Sequence, residues 1–127
     1  MTVTIARPGR RIVRLRGPLD FGAGKELRER LIDVLHRGAN PLIIDLSRVP
    51  SCDTAGLAVL IGTQRRARLL GSVLLLAAPG AAVAEILRSS GLHRHFTIYP
   101  DILAALGHAS SPPAGEGEAG FPELAVG

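Results

Sequence analysis

The middle of the chain carries its most informative stretch, LIIDLSRVPSCDTAGLAVL at residues 42–60. Its first five residues are four aliphatic side chains and Asp45, a composition typical of a strand that is buried on both faces. After Pro50, Asp53 is a residue type that begins helices, because its carboxylate accepts hydrogen bonds from the backbone N–H groups of the first turn. Apolar residues then recur at helical spacing to about Leu70. The stretch therefore predicts a central strand, a loop and a helix.

Residue types at helical spacing give the predicted helix that starts near Asp53 a buried face and a solvent face. We expect the buried face to carry Leu57, Leu60, Ile61 and Ala67. We expect the solvent face to carry Thr63, Arg65, Arg66 and Arg68.

The same patterns outside this stretch predict four more strands and three more helices. The strands are expected at about 2–5, 11–16, 73–78 and 96–99, with a turn at 7–10 between the first two. The helices are expected at about 23–37, at about 80–90, and from 102 to 106 or slightly beyond, and the first should bury Leu27, Leu31, Val34 and Leu35. Because strands alternate with helices, the predicted fold class is α/β. We expect one domain with five strands and four helices, its mixed, mostly parallel sheet carrying an antiparallel edge hairpin.

The composition of the chain changes near its C-terminal end. Residues 1–107 contain all the predicted elements and form the predicted domain. Residues 108–127 are rich in Pro, Gly, Ser, Ala and Glu and have no pattern that could bury a core, so we expect a disordered tail there. Phe121 and Leu124 in this tail are either a short docking motif or incidental apolar residues, and we favour the second interpretation.

Length and composition limit the classes of protein. The chain has 127 residues, 46% of them hydrophobic and 20% charged, which is typical of one globular domain. Its single cysteine, Cys52, excludes an internal disulfide and a cysteine-cluster metal site. No segment has the pattern of a signal peptide or of a membrane-spanning helix, so we expect a cytoplasmic protein without membrane insertion.

Charge is distributed unevenly along the chain. Residues 1–106 hold 15 basic and 8 acidic residues, whereas 107–127 hold three acidic residues and neither Lys nor Arg. A basic domain could bind nucleic acid or an anionic lipid surface. The arginines are scattered, however, and dense only at 65–68, and few aromatic residues are available for stacking on bases. We therefore favour a solvated surface and expect no direct nucleic-acid partner.

Residues that could carry catalysis are few. The sequence has no Gly-rich phosphate-binding loop and no Gly-x-Ser-x-Gly nucleophile turn. His93 and His95 could lie on one side of a strand as a metal pair, but no carboxylate or cysteine stands at ligand spacing, so we expect no metal or other cofactor. Cys52 is either a nucleophile or a small residue packed where a strand meets a helix, and we favour the second. We predict that the protein is not an enzyme.

The start of the central helix is the one local feature that suggests a functional site. Thr54 would follow the capping Asp53 with its hydroxyl near solvent, and the small Ala55 and Gly56 would let a partner approach closely. A helix N-terminus also favours a phosphate group, because its free N–H groups and dipole attract anions. Physical reasoning alone leaves two interpretations open, a capped helix without further function and a phosphorylation or contact site.

Three stretches together resemble the STAS domain of bacterial anti-sigma factor antagonists. They are Gly17-Pro-Leu-Asp20, residues 42–60, and Ser90-Gly-Leu92 followed by Phe96 and the helix from Asp101. The resemblance covers about residues 3–106. In such antagonists the residue just after the motif aspartate accepts a phosphate, and that position is Thr54 here.

The resemblance implies a role in partner switching. The unphosphorylated protein would bind an anti-sigma factor that is also a kinase, which frees a sigma factor for RNA polymerase and so regulates transcription. Phosphorylation of Thr54 would end the complex, and a metal-dependent phosphatase would restore it. The surface that binds the partner would consist of Asp20, Asp53, Thr54, Ala55 and Gly56. We expect a monomer or a weak dimer.

A second class of function is consistent with the same resemblance. Some STAS proteins have lost the phosphorylation switch, and Ala55 stands where the family often has a second hydroxyl. The chain would then be an unphosphorylated scaffold, or an accessory subunit of a membrane transporter or signalling assembly. The two hypotheses differ in whether Thr54 is modified and in whether the partner is a kinase.

Overall fold

The computed structural model describes residues 1–5 and 12–110. The elements it contains there are β1 (Thr2–Ile5), β2 (Ile12–Arg16), α1 (Phe21–His36), β3 (Leu42–Arg48), α2 (Thr54–Leu69), β4 (Leu74–Ala77), α3 (Ala81–Ser89), β5 (Thr97–Tyr99) and α4 (Ile102–Ser110). A single-turn 3-10 helix at Leu92–Arg94 precedes β5. The predicted order of five strands and four helices is therefore confirmed, and the short 3-10 helix is an addition to it.

The strands form one five-stranded sheet in the order β1-β2-β3-β4-β5. β1 and β2 pair antiparallel, with Val3 opposite Leu15, and all the other neighbouring strands pair parallel. This confirms the mostly parallel sheet with an antiparallel edge hairpin. The predicted turn at 7–10 lies outside the described residues. The parallel arrangement has a functional consequence, because it brings the loops that follow β2 and β3 to the same edge of the sheet.

The core is divided by the sheet into two apolar clusters. Side chains of β3 alternate between them, with Ile44 on one face and Ile43 on the other, and both are fully buried. On the first face, sheet residues pack against α1, α2 and α3, including Val13, Leu15, Ile44, Leu46, Leu27, Leu31, Leu60, Val83 and Leu87. On the second face, α4 covers a smaller cluster of Ile12, Ile43, Leu75, Ala77 and Ala105. Burial of β3 on both faces confirms the interpretation of 42–46 as a central strand.

Helix α1 begins two residues earlier than the periodicity suggested. The predicted inward residues are all buried, but the first residue of α1 is Phe21 rather than residue 23. The reason is Asp20, whose carboxylate accepts a hydrogen bond from the backbone N–H of Ala23 at 3.1 Å and so caps the helix. Helical periodicity is read from apolar residues that face the core, so it does not reveal a cap that no such residue directly follows.

One residue of α2 faces opposite to the prediction. Thr63 was expected on the solvent face, and it is fully buried. Its hydroxyl donates a hydrogen bond to the carbonyl oxygen of Val59, one turn earlier in the same helix, at 2.8 Å. Because the hydroxyl is satisfied within the helix, the side chain packs inward like a small apolar residue. Val59 is buried as well, although the prediction did not include it.

The last helix is longer than the minimum expected. α4 continues to Ser110, past the predicted domain boundary at 107. The remainder of the predicted tail, 111–127, including Phe121 and Leu124, lies outside the described residues.

Candidate functional site

Two loops meet at the edge of the sheet where β2 and β3 end. We call residues 17–20 and 49–53 together the loop pair. The backbone N–H of Leu19 donates to the carbonyl oxygen of Ser51 at 2.9 Å, and the N–H of Asp53 donates to the carbonyl oxygen of Leu19 at 3.1 Å. The side chain of Leu19 is fully buried. The loop pair is therefore held by backbone hydrogen bonds above a packed core, which fixes the starting points of α1 and α2.

Asp53 connects the two helices that start from the loop pair. One carboxylate oxygen, Oδ1, accepts a hydrogen bond from the backbone N–H of Gly56 at 2.8 Å, which caps α2 as predicted. The other oxygen, Oδ2, accepts one from the backbone N–H of Phe21 at 3.3 Å. Each helix leaves its first N–H groups without partners inside the helix, and Asp53 satisfies one from each. This second bond was not predicted, because it joins residues that are far apart in the sequence.

Asp20 serves as the N-terminal cap of α1 and is half-buried. The family resemblance led us to expect Asp20 in the surface that binds a partner. The structure places Asp20 within the loop pair and gives its carboxylate a defined partner, the N–H of Ala23. Its principal contact is thus with its own helix.

Thr54 is the first residue of α2 and is exposed to solvent. Its hydroxyl makes no hydrogen bond to any other described residue. Ala55, the next residue, is half-buried and adds only a methyl group to the surface. A hydroxyl that is exposed, free of internal partners and fixed to a capped helix is accessible to an enzyme that modifies it.

Gly56 is buried, and its small size serves an internal contact. A Cβ atom at this position would overlap the carbonyl oxygen of Leu19 and would lie 2.8 Å from Leu19 Cγ. Gly56 therefore lets α2 approach the loop pair closely. It was predicted as part of the surface that contacts a partner, and the contact that the structure gives it is the internal one with Leu19.

Cys52 is buried in the loop pair, as the packing interpretation predicted. Burial, and to a smaller extent the neighbouring charge of Asp53, together raise the pKa of its thiol to about 11. Since the thiolate is the nucleophilic form of cysteine, this thiol stays protonated and unreactive near neutral pH.

Other candidates are remote from the loop pair or lack partners for chemistry. His93 lies in the 3-10 helix and His95 follows it, so the two do not lie on one face of a strand, the arrangement that a metal pair would have needed. Nowhere in residues 1–5 and 12–110 do three His, Cys, Asp or Glu side chains form a group that could hold a metal ion. The exposed arginines at 65–68 lie about 17–21 Å along α2 from Thr54, at the standard rise per residue. Only a large partner could therefore contact both these arginines and Thr54.

A shallow groove of about 380 Å³ lies beside the second loop of the pair. Small and apolar side chains dominate its lining, and Arg48 is its one ionisable residue. The groove thus offers no pair of groups for acid–base chemistry among its lining residues. No helix in the described part of the chain combines the length and the apolar character needed to cross a membrane.

Sequence reasoning missed Phe21, whose side chain is 82% exposed at the start of α1. A signal for it exists in the sequence. If the helix is extended back to residue 21, the angle of 100° per residue places Phe21 roughly 90° away from the centre of the buried face. A bulky aromatic residue at the margin of the apolar face, next to a capping aspartate, could have been recognised as a surface feature.

Comparison with known proteins agrees with this architecture. A family model for the STAS domain matches residues 2–105. An anti-sigma factor antagonist from Mycobacterium paratuberculosis is similar in structure, with a TM-score of 0.78, 24% identity, and coverage of 87% of this chain and 94% of that chain. The anti-sigma factor antagonist SpoIIAA, in its unphosphorylated form, gives a TM-score of 0.72 at 18% identity, covering 86% of this chain and 95% of that chain.

A structure from another functional class has the same fold. A sulfate transporter family protein from Wolinella succinogenes gives a TM-score of 0.69 at 25% identity, with coverage of 84% of this chain and 89% of that chain. These structural similarities establish the fold, whereas the family model extends over nearly the whole domain. The chain belongs to the STAS domain family.

Proposed function

We propose that the protein is an anti-sigma factor antagonist whose binding surface is the loop pair together with Thr54 and Ala55. It binds an anti-sigma factor that is also a serine/threonine kinase, and phosphorylation of Thr54 ends the complex. The observation that carries the proposal is the exposed hydroxyl of Thr54 on the first residue of a helix that Asp53 caps. Membership of the STAS family and the similarity to antagonist structures support the general class.

The modification requires little from the protein itself. The Oγ1 atom of Thr54 attacks the γ-phosphorus of ATP on the kinase, the hydroxyl proton passes to a base on the kinase, and ADP leaves. This protein supplies a hydroxyl in a fixed position, because α2 is capped and anchored by the loop pair. A phosphatase that hydrolyses phospho-Thr54 returns the protein to its binding form.

The phosphate is expected to act on the interface and to leave the fold intact. It adds a charge of about −1.5 to −2 next to the carboxylate of Asp53. In the free protein, water and the N-terminal end of α2 stabilise this charge. In a complex, the same charge would lose its water while adjacent to another negative group. A loss of only about 3 kcal/mol weakens binding more than a hundredfold.

Among the residues that the structure describes, the hydroxyl of Thr54 has no hydrogen-bond partner through which a phosphate could rearrange the domain. Leu19 and Cys52 beneath the site are buried, and backbone hydrogen bonds close the loop pair. We therefore expect nearly the same fold before and after phosphorylation. The switch would then consist of a change in surface chemistry.

The test is the intact mass of the protein after incubation with ATP and each purified candidate anti-sigma factor kinase of the source genome. We expect one kinase to add a single phosphate to the wild type, none to Thr54→Ala, and one to Thr54→Ser, which keeps the hydroxyl. Modification of Thr54→Ala to the same extent as the wild type would refute the assignment of Thr54.

A second candidate function is that of a scaffold or transporter accessory subunit without a switch. The similarity to a sulfate transporter family protein favours it. Stable binding to a candidate kinase without any gain of mass would indicate an unswitched scaffold. Absence of both binding and modification with every candidate would favour the transporter accessory role.

A further inference from the structure

Phe21 is a large apolar side chain that the fold does not use. It is 82% exposed, so its ring contributes little burial to the core. Aromatic residues are also only moderate helix formers. What the fold does use at this position is the backbone N–H, which donates to Asp53 Oδ2. Any residue except proline supplies that N–H, so the stability of the domain does not account for a phenylalanine here.

The same hydrogen bond places Phe21 next to the phosphate acceptor. Phe21 N and Asp53 Oδ2 are 3.3 Å apart, and Thr54 follows Asp53 directly in the chain. Both Phe21 and Thr54 are the first residues of their helices and both are exposed. Asp53 links the two residues, because it bonds to the backbone of Phe21 and directly precedes Thr54 in the chain.

The ring of Phe21 projects from the surface, since the residue is 82% exposed. Gly22 follows it in α1, and Ala55 follows Thr54 in α2. Neither of these residues has a side chain larger than a methyl group. A projecting aromatic ring matches the pattern of the aromatic anchors that dominate binding energy at protein interfaces.

We propose that Phe21 is the apolar anchor of the complex with the anti-sigma factor kinase and inserts into an apolar pocket on that kinase. This inference rests on the proposed function, and it adds the residue that supplies affinity and selects the partner. The occupant of the surface follows from continuity, since Phe21 bonds through its backbone to Asp53, and Asp53 directly precedes the threonine that the kinase must reach. Insertion of the ring also excludes water around Thr54, which makes a phosphate there costly in the complex.

The test compares the affinities of purified full-length variants for the kinase that phosphorylates Thr54, measured by calorimetry without ATP. We expect Phe21→Ala to bind at least tenfold more weakly than the wild type, and Phe21→Leu to lie between them because it keeps part of the apolar volume. The matched control is Leu69→Ala, since Leu69 is also 82% exposed but lies at the far end of α2. We expect this control to bind within twofold of the wild type, and all four proteins to have the same melting temperature.

The outcomes separate the anchor from the proposed function. If the wild type binds and is phosphorylated on Thr54 while Phe21→Ala binds within twofold of it, the anchor is refuted and the proposed function stands. If Leu69→Ala weakens binding as much as Phe21→Ala, exposed apolar area in general is responsible and the anchor is again refuted. If the wild type neither binds nor is phosphorylated by any candidate kinase, the proposed function fails and the anchor fails with it.

Discussion

The contact between Gly56 and Leu19 allows a sharp test of how the site is positioned. Replacing Gly56 by Ala adds one methyl group, which would overlap the carbonyl oxygen of Leu19 and lie 2.8 Å from Leu19 Cγ. Leu19 is fully buried and cannot turn away into solvent. The clash is therefore relieved only by moving α2 away from the loop pair. This movement strains the hydrogen bond from Asp53 N to Leu19 O.

The expected change in the free energy of unfolding follows from two costs and one gain. Overpacking a tightly filled site costs about 1–3 kcal/mol. Weakening one backbone hydrogen bond costs about 1 kcal/mol more. Alanine is favoured over glycine within a helix by about 1 kcal/mol, which offsets part of this loss. We therefore expect Gly56→Ala to lower the free energy of unfolding by about 2 kcal/mol, and to lower Tm by roughly 10 °C for a domain of this size.

The measurement is equilibrium unfolding in urea, with Gly62→Ala as the matched control. Gly62 is exposed in the same helix, and a Cβ there has no neighbour within 4 Å. The control therefore has only the gain in helix propensity, and we expect it to be more stable than the wild type by about 0.5–1 kcal/mol. If Gly56→Ala is as stable as Gly62→Ala, the close approach of α2 to the loop pair does not exist as described.

Three further predictions test the cap, the buried thiol and the orientation of α2. Asp53→Ala should lower the free energy of unfolding by about 1–2 kcal/mol. Asp53→Asn should lower it by about half as much, because Asn keeps one acceptor oxygen. Equal losses for the two variants in urea denaturation would contradict this prediction. The raised pKa of Cys52 favours the protonated thiol in the folded state. The stability that the protonated thiol contributes is present below pH 9 and is lost toward pH 11. The unfolding free energy of the wild type should therefore fall more steeply over that range than that of Cys52→Ala, and parallel slopes would refute the linkage. Thr63→Asp should destabilise by at least about 3 kcal/mol, since it buries a charge. The control Arg65→Asp should change the free energy of unfolding by less than about 0.5 kcal/mol. If Thr63→Asp is tolerated as well as Arg65→Asp, Thr63 lies on the surface and the prediction is wrong.

Local patterns predicted the architecture because each element repeats its own signal along several residues. The strand at 42–46 and the inward residues of α1 are aliphatic at regular positions, and burial of these side chains is what folds the domain. The burial of Thr63 was not predicted, and the cause is physical. A hydroxyl that bonds to the preceding turn of its own helix behaves as an apolar group, and residue type alone does not reveal that choice.

The candidate site was only partly accessible from the sequence. Asp53 as a helix cap and Thr54 as an exposed first residue follow from local capping chemistry. The bond from Phe21 to Asp53 and the contact of Gly56 with Leu19 both join residues more than 30 positions apart. They exist because parallel strands bring two loops to one edge of the sheet, and no local pattern encodes such a pairing.

These contacts support the proposal that a phosphate at Thr54 changes binding without refolding the domain. Both carboxylate oxygens of Asp53 are committed to helix N–H groups, so its charge stays at the site whatever happens at the hydroxyl. A phosphate must then share the surface with a charge that cannot move away. Phe21 lies on the other side of that carboxylate, and its exposed ring gains most from a complex that excludes water. In the complex we propose, the same exclusion of water that favours the ring would oppose the phosphate, so affinity for the partner and sensitivity to phosphorylation would both arise from one arrangement around Asp53.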